Sequence, residues 1–172
     1  MPIPTLTTDR LILRGFRASD WNAFAEMNAD PRVRRSLGGR IMSREETWAQ
    51  METFLGQWAL RDYGVFALEA DGCFAGRVGL LHPVDWPEAE LAWTLAARFW
   101  GRGLATEAAG CVRAWAFGQF GWDRLVSYIR PENDRSRRVA EKLGAVQEGA
   151  ITLRGVVSDV WVHPTPSRGI IV

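Results

Sequence analysis

Two β-rich runs joined by the dipeptide Asp71-Gly72 place the strongest constraint on the fold of this chain. The runs, Val65 to Ala70 and Cys73 to Leu81, are rich in residues that favour strands. An Asp-Gly pair tolerates the positive φ of a tight turn, so the segment predicts an antiparallel β-hairpin. The fold must therefore contain a sheet that includes this hairpin.

Ahead of the hairpin the sequence predicts a strand, a helix and a loop. Alternating apolar and polar residues indicate a half-buried strand over Leu6 to Phe16. Ser19 and Asp20 offer N-cap oxygens to a helix that ends near Pro31, because the residue before proline avoids helical geometry. The stretch Arg32 to Arg44 is rich in Arg and Gly and predicts a loop.

The remaining elements complete a mixed α/β order. Ser43-x-x-Glu46 is a capping box and predicts the second helix. Later elements are a strand at Glu90 to Ala96, a helix at Leu104 to Phe120, a strand at Leu125 to Ile129, a helix capped by Asn133 or Asp134, and strands near Ala150 to Leu153 and Val156 to His163. The order shows neither repeat nor linker, so we predict a single domain over residues 1–172 whose halves share one mixed sheet.

Length and composition limit the function classes. A chain of 172 residues with 47% hydrophobic residues has the size and composition of one globular domain. Its formal net charge of +1 gives little long-range attraction for nucleic acids or anionic membranes, so neither is an expected partner. No uninterrupted apolar stretch approaches the roughly twenty residues of a membrane span, and we expect a cytoplasmic protein.

The cysteines and histidines form no recognisable metal or nucleophile motif. Cys73 and Cys111 lie in apolar surroundings without Cys-x-x-Cys or Cys/His spacing, which predicts buried free thiols. His82 and His163 lack a matching Ser or Cys elbow, which predicts structural roles for both. We therefore expect no metal site.

The segment RFWGRGLATEA, residues 98–108, predicts an anion site at the start of a helix. The first backbone N–H groups of a helix have no intrahelical partner, and the helix dipole favours negative charge there. Gly101 and Gly103 remove the Cβ atoms that would keep a phosphate or pyrophosphate away, although a plain tight turn is an alternative. A Rossmann site is disfavoured because Thr106 occupies the third glycine position and Asp123 starts the next strand instead of ending it.

These residues resemble a known family. Arg98-x-x-Gly101-x-Gly103 matches the [RQ]-x-x-G-x-[GA] acetyl-CoA motif of the GNAT N-acetyltransferase superfamily. TDRLILRGF resembles the first strand of its ribosomal-protein N-terminal acetyltransferase (RimJ/RimL-like) branch, AELAWTLAARFWGRGLATEA its strand four and helix three, and RPENDRSRRVAEKLGAVQEG its helix four. The resemblance covers roughly residues 5–163. It implies a mixed, mostly antiparallel central sheet flanked by helices, with strands four and five splayed apart.

The resemblance also implies the binding site of a cosubstrate, acetyl-CoA, between Glu90 to Ala96 (strand four) and Leu125 to Ile129 (strand five). The pantetheine arm would pair with strand four, the N–H near Leu95 would polarise the thioester carbonyl, and the pyrophosphate would sit on the helix amides. The implied contacts are Thr94, Leu95, Ala96, Arg98, Phe99, Trp100, Gly101, Arg102, Gly103, Leu104, Ala105, Asn133 and Ser136. Asn133 and Ser136 match the family's N-x-x-[SA], but a plain helix cap is an alternative for both.

Acetyl transfer to an amine requires a base, and the leaving thiolate benefits from a proton donor. Glu90 and Glu88 are the candidate bases, and a solvated surface carboxylate is the alternative for each. Many relatives carry a tyrosine seven residues after the Asn, a position that is Ala140 here. Ser136 is the first candidate for the proton donor, with Tyr128 behind it and a solvent proton as a third option.

We therefore predict an N-acetyltransferase that moves acetyl from acetyl-CoA directly to a primary amine. The acceptor partner is a protein N-terminal α-amine or a small-molecule amine, and the protein is a monomer or a homodimer. Trp86, in the loop before strand four, is a candidate for the acceptor site. The alternative function is a catalytically silent acyl-CoA-binding or interaction module, which the missing tyrosine keeps open.

Overall fold

The computed structural model describes residues 2–166, which form one sheet covered by helices. The strands in this range are β1 Leu6–Thr7, β2 Leu11–Arg14, β3 Val65–Ala70, β4 Cys73–Leu81, β5 Glu90–Leu95, β6 Val126–Ile129, β7 Val146–Leu153 and β8 Val156–Val162. The α-helices are α1 Trp21–Ala29, α2 Pro31–Arg35, α3 Arg44–Arg61, α4 Leu104–Phe120 and α5 Asp134–Lys142. Within the sheet the order is β1-β2-β3-β4-β5-β6-β8-β7.

The sheet is mixed and mostly antiparallel, as predicted. Neighbouring strands in the described range pair antiparallel except β5 and β6, which run parallel. These two strands correspond to strands four and five of the sequence analysis, because the predicted first strand is split into β1 and β2. They share the single register pair Glu90↔Val126 and then diverge, so the sheet has a gap in its centre.

The central hairpin confirms the first sequence prediction and shows why helices are needed on both faces. Asp71 and Gly72 adopt φ values of 53° and 72° in the turn between β3 and β4. Successive side chains of β3 point to opposite faces of the sheet. Phe66 belongs to the cluster that contains the buried residues of α4, and Val65 belongs to the cluster formed with α1 and α3. The hairpin is thus buried from both sides.

The two long helices begin and end where their terminal residues predict. Ser43 and Glu46 form the capping box of α3, in which Ser43 Oγ accepts from the Glu46 N–H at 3.1 Å and Glu46 Oε2 accepts from the Ser43 N–H at 2.8 Å. Helix α4 spans the predicted range, and its C-cap residue Gly121 has a φ of 62°, the left-handed conformation that glycine tolerates. Residues at the helix ends therefore set these bounds.

The structure corrects the N-terminal prediction. The expected strand over Leu6 to Phe16 is two short strands, and Arg14 lies buried instead of facing solvent. Its guanidinium donates to both Asp20 carboxylate oxygens, at 2.8 and 2.9 Å, which compensates the buried charge. Asp20 also accepts from the Arg17 N–H at 2.8 Å, so its carboxylate does not cap α1.

Three further expectations change. The predicted loop after Pro31 begins with the short helix α2, because Asp30 caps it through the Arg32 N–H at 2.9 Å. Strand β7 starts four residues earlier than predicted, at Val146 instead of Ala150. Cys73 and Cys111 are free thiols as predicted, but Cys73 is exposed and Cys111 is half-buried. In residues 2–166 no helix is long and apolar enough to cross a membrane.

Candidate active site

The gap between β5 and β6 exposes the backbone of β5. The Ala96 N–H donates to the Ala75 carbonyl at 2.9 Å, so Ala96 and, by alternation, Thr94 direct their backbone groups toward β4. Trp93 and Leu95 consequently direct theirs away from β4, into the gap. Of the predicted pairing residues, Leu95 therefore offers its N–H to a ligand in the gap, and Trp93 offers backbone groups that the sequence analysis did not assign.

Side chains define where this gap opens and closes. Ser127 Oγ donates to the Leu91 carbonyl at 2.6 Å, just beyond the last register pair of β5 and β6. Ser127 also bonds His163 Nε2 at 2.8 Å, which agrees with a structural role for this histidine. At the other end Trp100 Nε1 donates to the Leu95 carbonyl at 2.9 Å. The gap therefore extends along β5 from Leu91, which bonds Ser127, to Leu95, which bonds Trp100.

A pocket of about 510 Å³ lies on the α4 side of the gap. Gly101 and Gly103 line it with φ values of 74° and 77°, and a Cβ placed on Gly101 would meet no atom within 4 Å. The Phe99 and Trp100 N–H groups already donate to the carbonyls of residues 96 and 97. This leaves the amides of residues 101–105 for an anion, a narrower set than the sequence analysis predicted.

The positive charge of this pocket comes from α5 and not from the glycine-arginine turn. Arg98 donates to the Phe74 carbonyl at 3.2 Å and Arg102 pairs with Asp71 at 2.8 Å, so both side chains are held at the β3–β4 hairpin. Neither lines the pocket. The cationic side chains that do line it are Arg135, Arg138 and Lys142. Their spacing of three and four residues places them on one helix face, a signal that was present in the sequence.

Asn133 and Ser136 form the cap of a helix and also line both pockets. Asn133 Oδ1 accepts from the Ser136 N–H at 3.2 Å, and Asn133 Nδ2 donates to Ser136 Oγ at 3.0 Å. Asn133 is thus the N-cap of α5. Both residues also line the first pocket and a second pocket of about 320 Å³. Together with Thr94 they lie where the two pockets adjoin.

The second pocket contains a buried carboxyl group. Glu90 is 7% exposed, and its Oε1 accepts from the Tyr128 N–H at 3.2 Å. Burial raises the pKa of Glu90 to about 8, although the hydrogen bond from Tyr128 and the charge of Arg77 both oppose the rise. A carboxyl group with such a pKa matches proton transfer near neutral pH.

The other candidates for proton transfer have different surroundings. Glu88 pairs with Arg124 at 2.5 Å and lines neither pocket, so the geometry favours Glu90 as the base. Tyr128 lines the second pocket, and burial raises its pKa to about 12, which keeps the phenol protonated. Trp86 lies edge-on to Tyr128, with ring centroids 5.3 Å apart, in the same pocket. Ala140 is fully buried, so its position contributes only to packing.

The chain is similar in sequence and in fold to known acetyltransferases. A family model described as an acetyltransferase (GNAT) domain matches residues 10–146. The uncharacterized N-acetyltransferase YnaD of Bacillus subtilis is 27% identical over 144 residues, which are 84% of each chain. A crystal structure of an acetyltransferase from Agrobacterium tumefaciens superposes with a TM-score of 0.86 at 33% identity, covering 95% of this chain and 96% of that one.

A more distant neighbour shares the fold and was solved with a ligand. RimL, a ribosomal L7/L12 α-N-protein acetyltransferase in complex with coenzyme A, superposes with a TM-score of 0.75 at 19% identity. The superposition covers 93% of this chain and 96% of RimL.

Proposed function

The chain belongs to the GNAT acetyltransferase family and is an acetyltransferase, and from this premise we propose that it moves acetyl from acetyl-CoA to a primary amine. One observation carries the proposal. The gap that exposes the backbone of Trp93 and Leu95 is bordered by a pocket with free helix amides and by a pocket with the buried carboxyl group of Glu90. The two pockets adjoin, so they would hold the acetyl donor and the acceptor side by side.

The residues of the first pocket fit the donor. The open space at Gly101 gives a pyrophosphate access to the amides of residues 101–105, and Arg135, Arg138 and Lys142 add charge-assisted contacts. The Leu95 N–H would donate to the thioester carbonyl, an interaction worth about 3 to 4 kcal/mol when well aligned. When bound, acetyl-CoA supplies the activated acetyl group.

The residues of the second pocket, and those where the two pockets adjoin, would accept and donate the protons of the reaction. The amine nitrogen bonds to the acetyl carbon while the carbon–sulfur bond breaks, and one amine proton passes to Glu90, directly or through water. The departing sulfur takes a proton from Ser136 Oγ, which lies at the junction of the pockets, while that hydroxyl takes a proton from water, so no alkoxide is left. Glu90 then releases its proton to solvent. Tyr128 is the second candidate for this donor, because its pKa keeps it protonated.

Comparison of two single variants would identify the residue that donates the proton to the departing sulfur. Ser136→Ala is expected to lower kcat by about a hundredfold with little change in KM for the amine, the lower end of the range for general acid catalysis. Tyr128→Phe is expected to change KM for the amine more than kcat. The reverse pattern would assign the proton transfer to Tyr128, and normal kcat in both variants would leave water as the donor.

The acceptor itself can be identified by turnover. RimL is named for a protein α-amine, so peptides with free N-termini belong in the panel beside amino acids and small amines. Release of free coenzyme A from acetyl-CoA would be followed spectroscopically, and the acetylated amine identified by mass. We expect release that depends on an amine. Tight binding of coenzyme A without turnover on any amine would instead support a silent acyl-CoA-binding module.

A further inference from the structure

The second pocket contains a buried arginine without a partner. Arg77 lies on β4 opposite Thr94 of β5 and is 8% exposed. Its Nη1 is buried and forms no hydrogen bond, and no carboxylate of residues 2–166 forms an ion pair with its guanidinium. Its Cζ lies over the Phe54 ring, 5.5 Å from the ring centroid. A buried guanidinium without an anion is costly, which indicates that a ligand completes this site.

The charges around the pocket do not neutralise Arg77. Glu90 interacts with it electrostatically, but burial raises the pKa of Glu90 to about 8, so the carboxyl group is mostly protonated at neutral pH. Arg34 adds positive charge nearby. Two more arginines line the pocket: Arg154, which pairs with Asp85 at 2.7 Å, and Arg130, which has Glu132 at 3.7 Å. Since Arg154 and Arg130 each have a carboxylate partner, Arg77 is the arginine of this pocket whose charge stays uncompensated within residues 2–166.

Unpaired hydrogen-bond donors in the same pocket point to a ligand rich in oxygen. Trp86 Nε1, Tyr128 OH and Thr94 Oγ1 are buried, line the second pocket, and have no hydrogen-bond partner in the described structure. An indole N–H and a guanidinium N–H only donate, so both require acceptor atoms. A carboxylate offers two oxygens, carries the charge that Arg77 lacks, and suits the planar geometry of a guanidinium.

We propose that the acceptor of this enzyme is an amine that also carries a carboxylate, and that Arg77 binds this carboxylate. The inference rests on the proposed function, because it assigns the second pocket to the acceptor. Arg77 and Glu90 line one pocket, so the acceptor would place its carboxylate on Arg77 and its amine near Glu90. Free amino acids and peptides whose first residue is acidic both present this chemistry.

The test compares acceptors with and without the carboxylate, and kcat/KM is expressed per neutral amine because amidation of an amino acid also lowers the pKa of its α-amine. Acetylation of L-amino acids would be measured against their carboxamides, and C-terminally amidated peptides that begin with Asp or Glu against those that begin with Asn or Gln. We expect kcat/KM to be higher for one carboxylate series by about tenfold to a hundredfold, the range for a charged hydrogen-bonded pair. The series that shows the preference identifies the source of the carboxylate.

Arg77→Met keeps a long apolar side chain and removes the charge, so we expect it to abolish the preference while leaving coenzyme A affinity unchanged. Arg32→Met is the matched control, since Arg32 is exposed, pairs with Asp30 and does not line the pocket. Equal rates for both members of each pair in the unmodified protein, or a preference that survives Arg77→Met, would overturn the inference. Should Arg77→Met fail to fold, the charge comparison in the unmodified protein decides alone.

This failure is distinct from failure of the proposed function. Turnover of neutral amines without a carboxylate preference refutes only the role of Arg77. Absence of turnover on every amine, with coenzyme A bound, refutes the transfer reaction itself.

Discussion

The pH dependence of acetyl transfer should follow the ionisation of Glu90. Its pKa of about 8 arises from burial, so the base is ionised in roughly one molecule in eleven at pH 7 and in roughly ten in eleven at pH 9. Between these values kcat/KM should rise about tenfold. The rate rises with pH because only the ionised carboxylate accepts a proton. Glu90→Gln should flatten this rise and lower kcat about a hundredfold or more.

The assay requires an acceptor whose own titration lies outside this range. An amine with a pKa below about 6, such as an aromatic amine, is neutral throughout, so the observed pH dependence belongs to the enzyme. Glu88→Gln is the matched control, because Glu88 pairs with Arg124 outside both pockets. A wild-type rate in Glu90→Gln, or the same rise with pH in that variant, would refute the assignment of Glu90 as the base.

Two predictions concern the donor pocket and can be tested by titration calorimetry with coenzyme A. Gly101→Val should weaken binding at least tenfold, because the side chain enters the anion site and its φ of 74° is strained for any other residue. Gly121→Val is the control, since it has similar strain at φ 62° but lies at the far end of α4. Arg138→Gln should weaken binding in a salt-dependent manner, whereas Arg137→Gln should not, because Arg137 pairs with Asp134 and lines neither pocket. Equal affinities within either pair would contradict the pocket assignment.

Local sequence signals predicted most elements, because they depend on contacts within a few residues. The hairpin at Asp71-Gly72, the capping box at Ser43 and the bounds of α4 all have this origin. The predictions were wrong where a contact outside the local segment determines whether a side chain is buried. Arg14 is buried because Asp20 neutralises it across a turn, and no periodicity in the first strand indicates that ion pair.

The site was predicted less completely than the fold for the same reason. The glycines of the turn follow from backbone geometry, whereas the direction of an arginine side chain depends on its tertiary neighbours. The side chains of Arg98 and Arg102 point toward the β3–β4 hairpin, and cationic side chains of α5 line the first pocket instead. The sequence did not identify Arg77 as a site residue, because a single arginine in a strand is common. Only the structure shows that this arginine is buried without a hydrogen-bond partner at Nη1.

The single register pair between β5 and β6 has a consequence for how the molecule works over a catalytic cycle. A ligand whose extended arm forms hydrogen bonds with β5 acts as an additional strand between β5 and β6. Binding of this ligand should therefore stabilise the contact between the two halves of the sheet and raise the melting temperature of the protein. Release of the product would remove these hydrogen bonds again. Amide exchange in β6 should therefore slow when coenzyme A is present and quicken when it leaves, so that the protein alternates between a tightened and a loosened centre with each turnover.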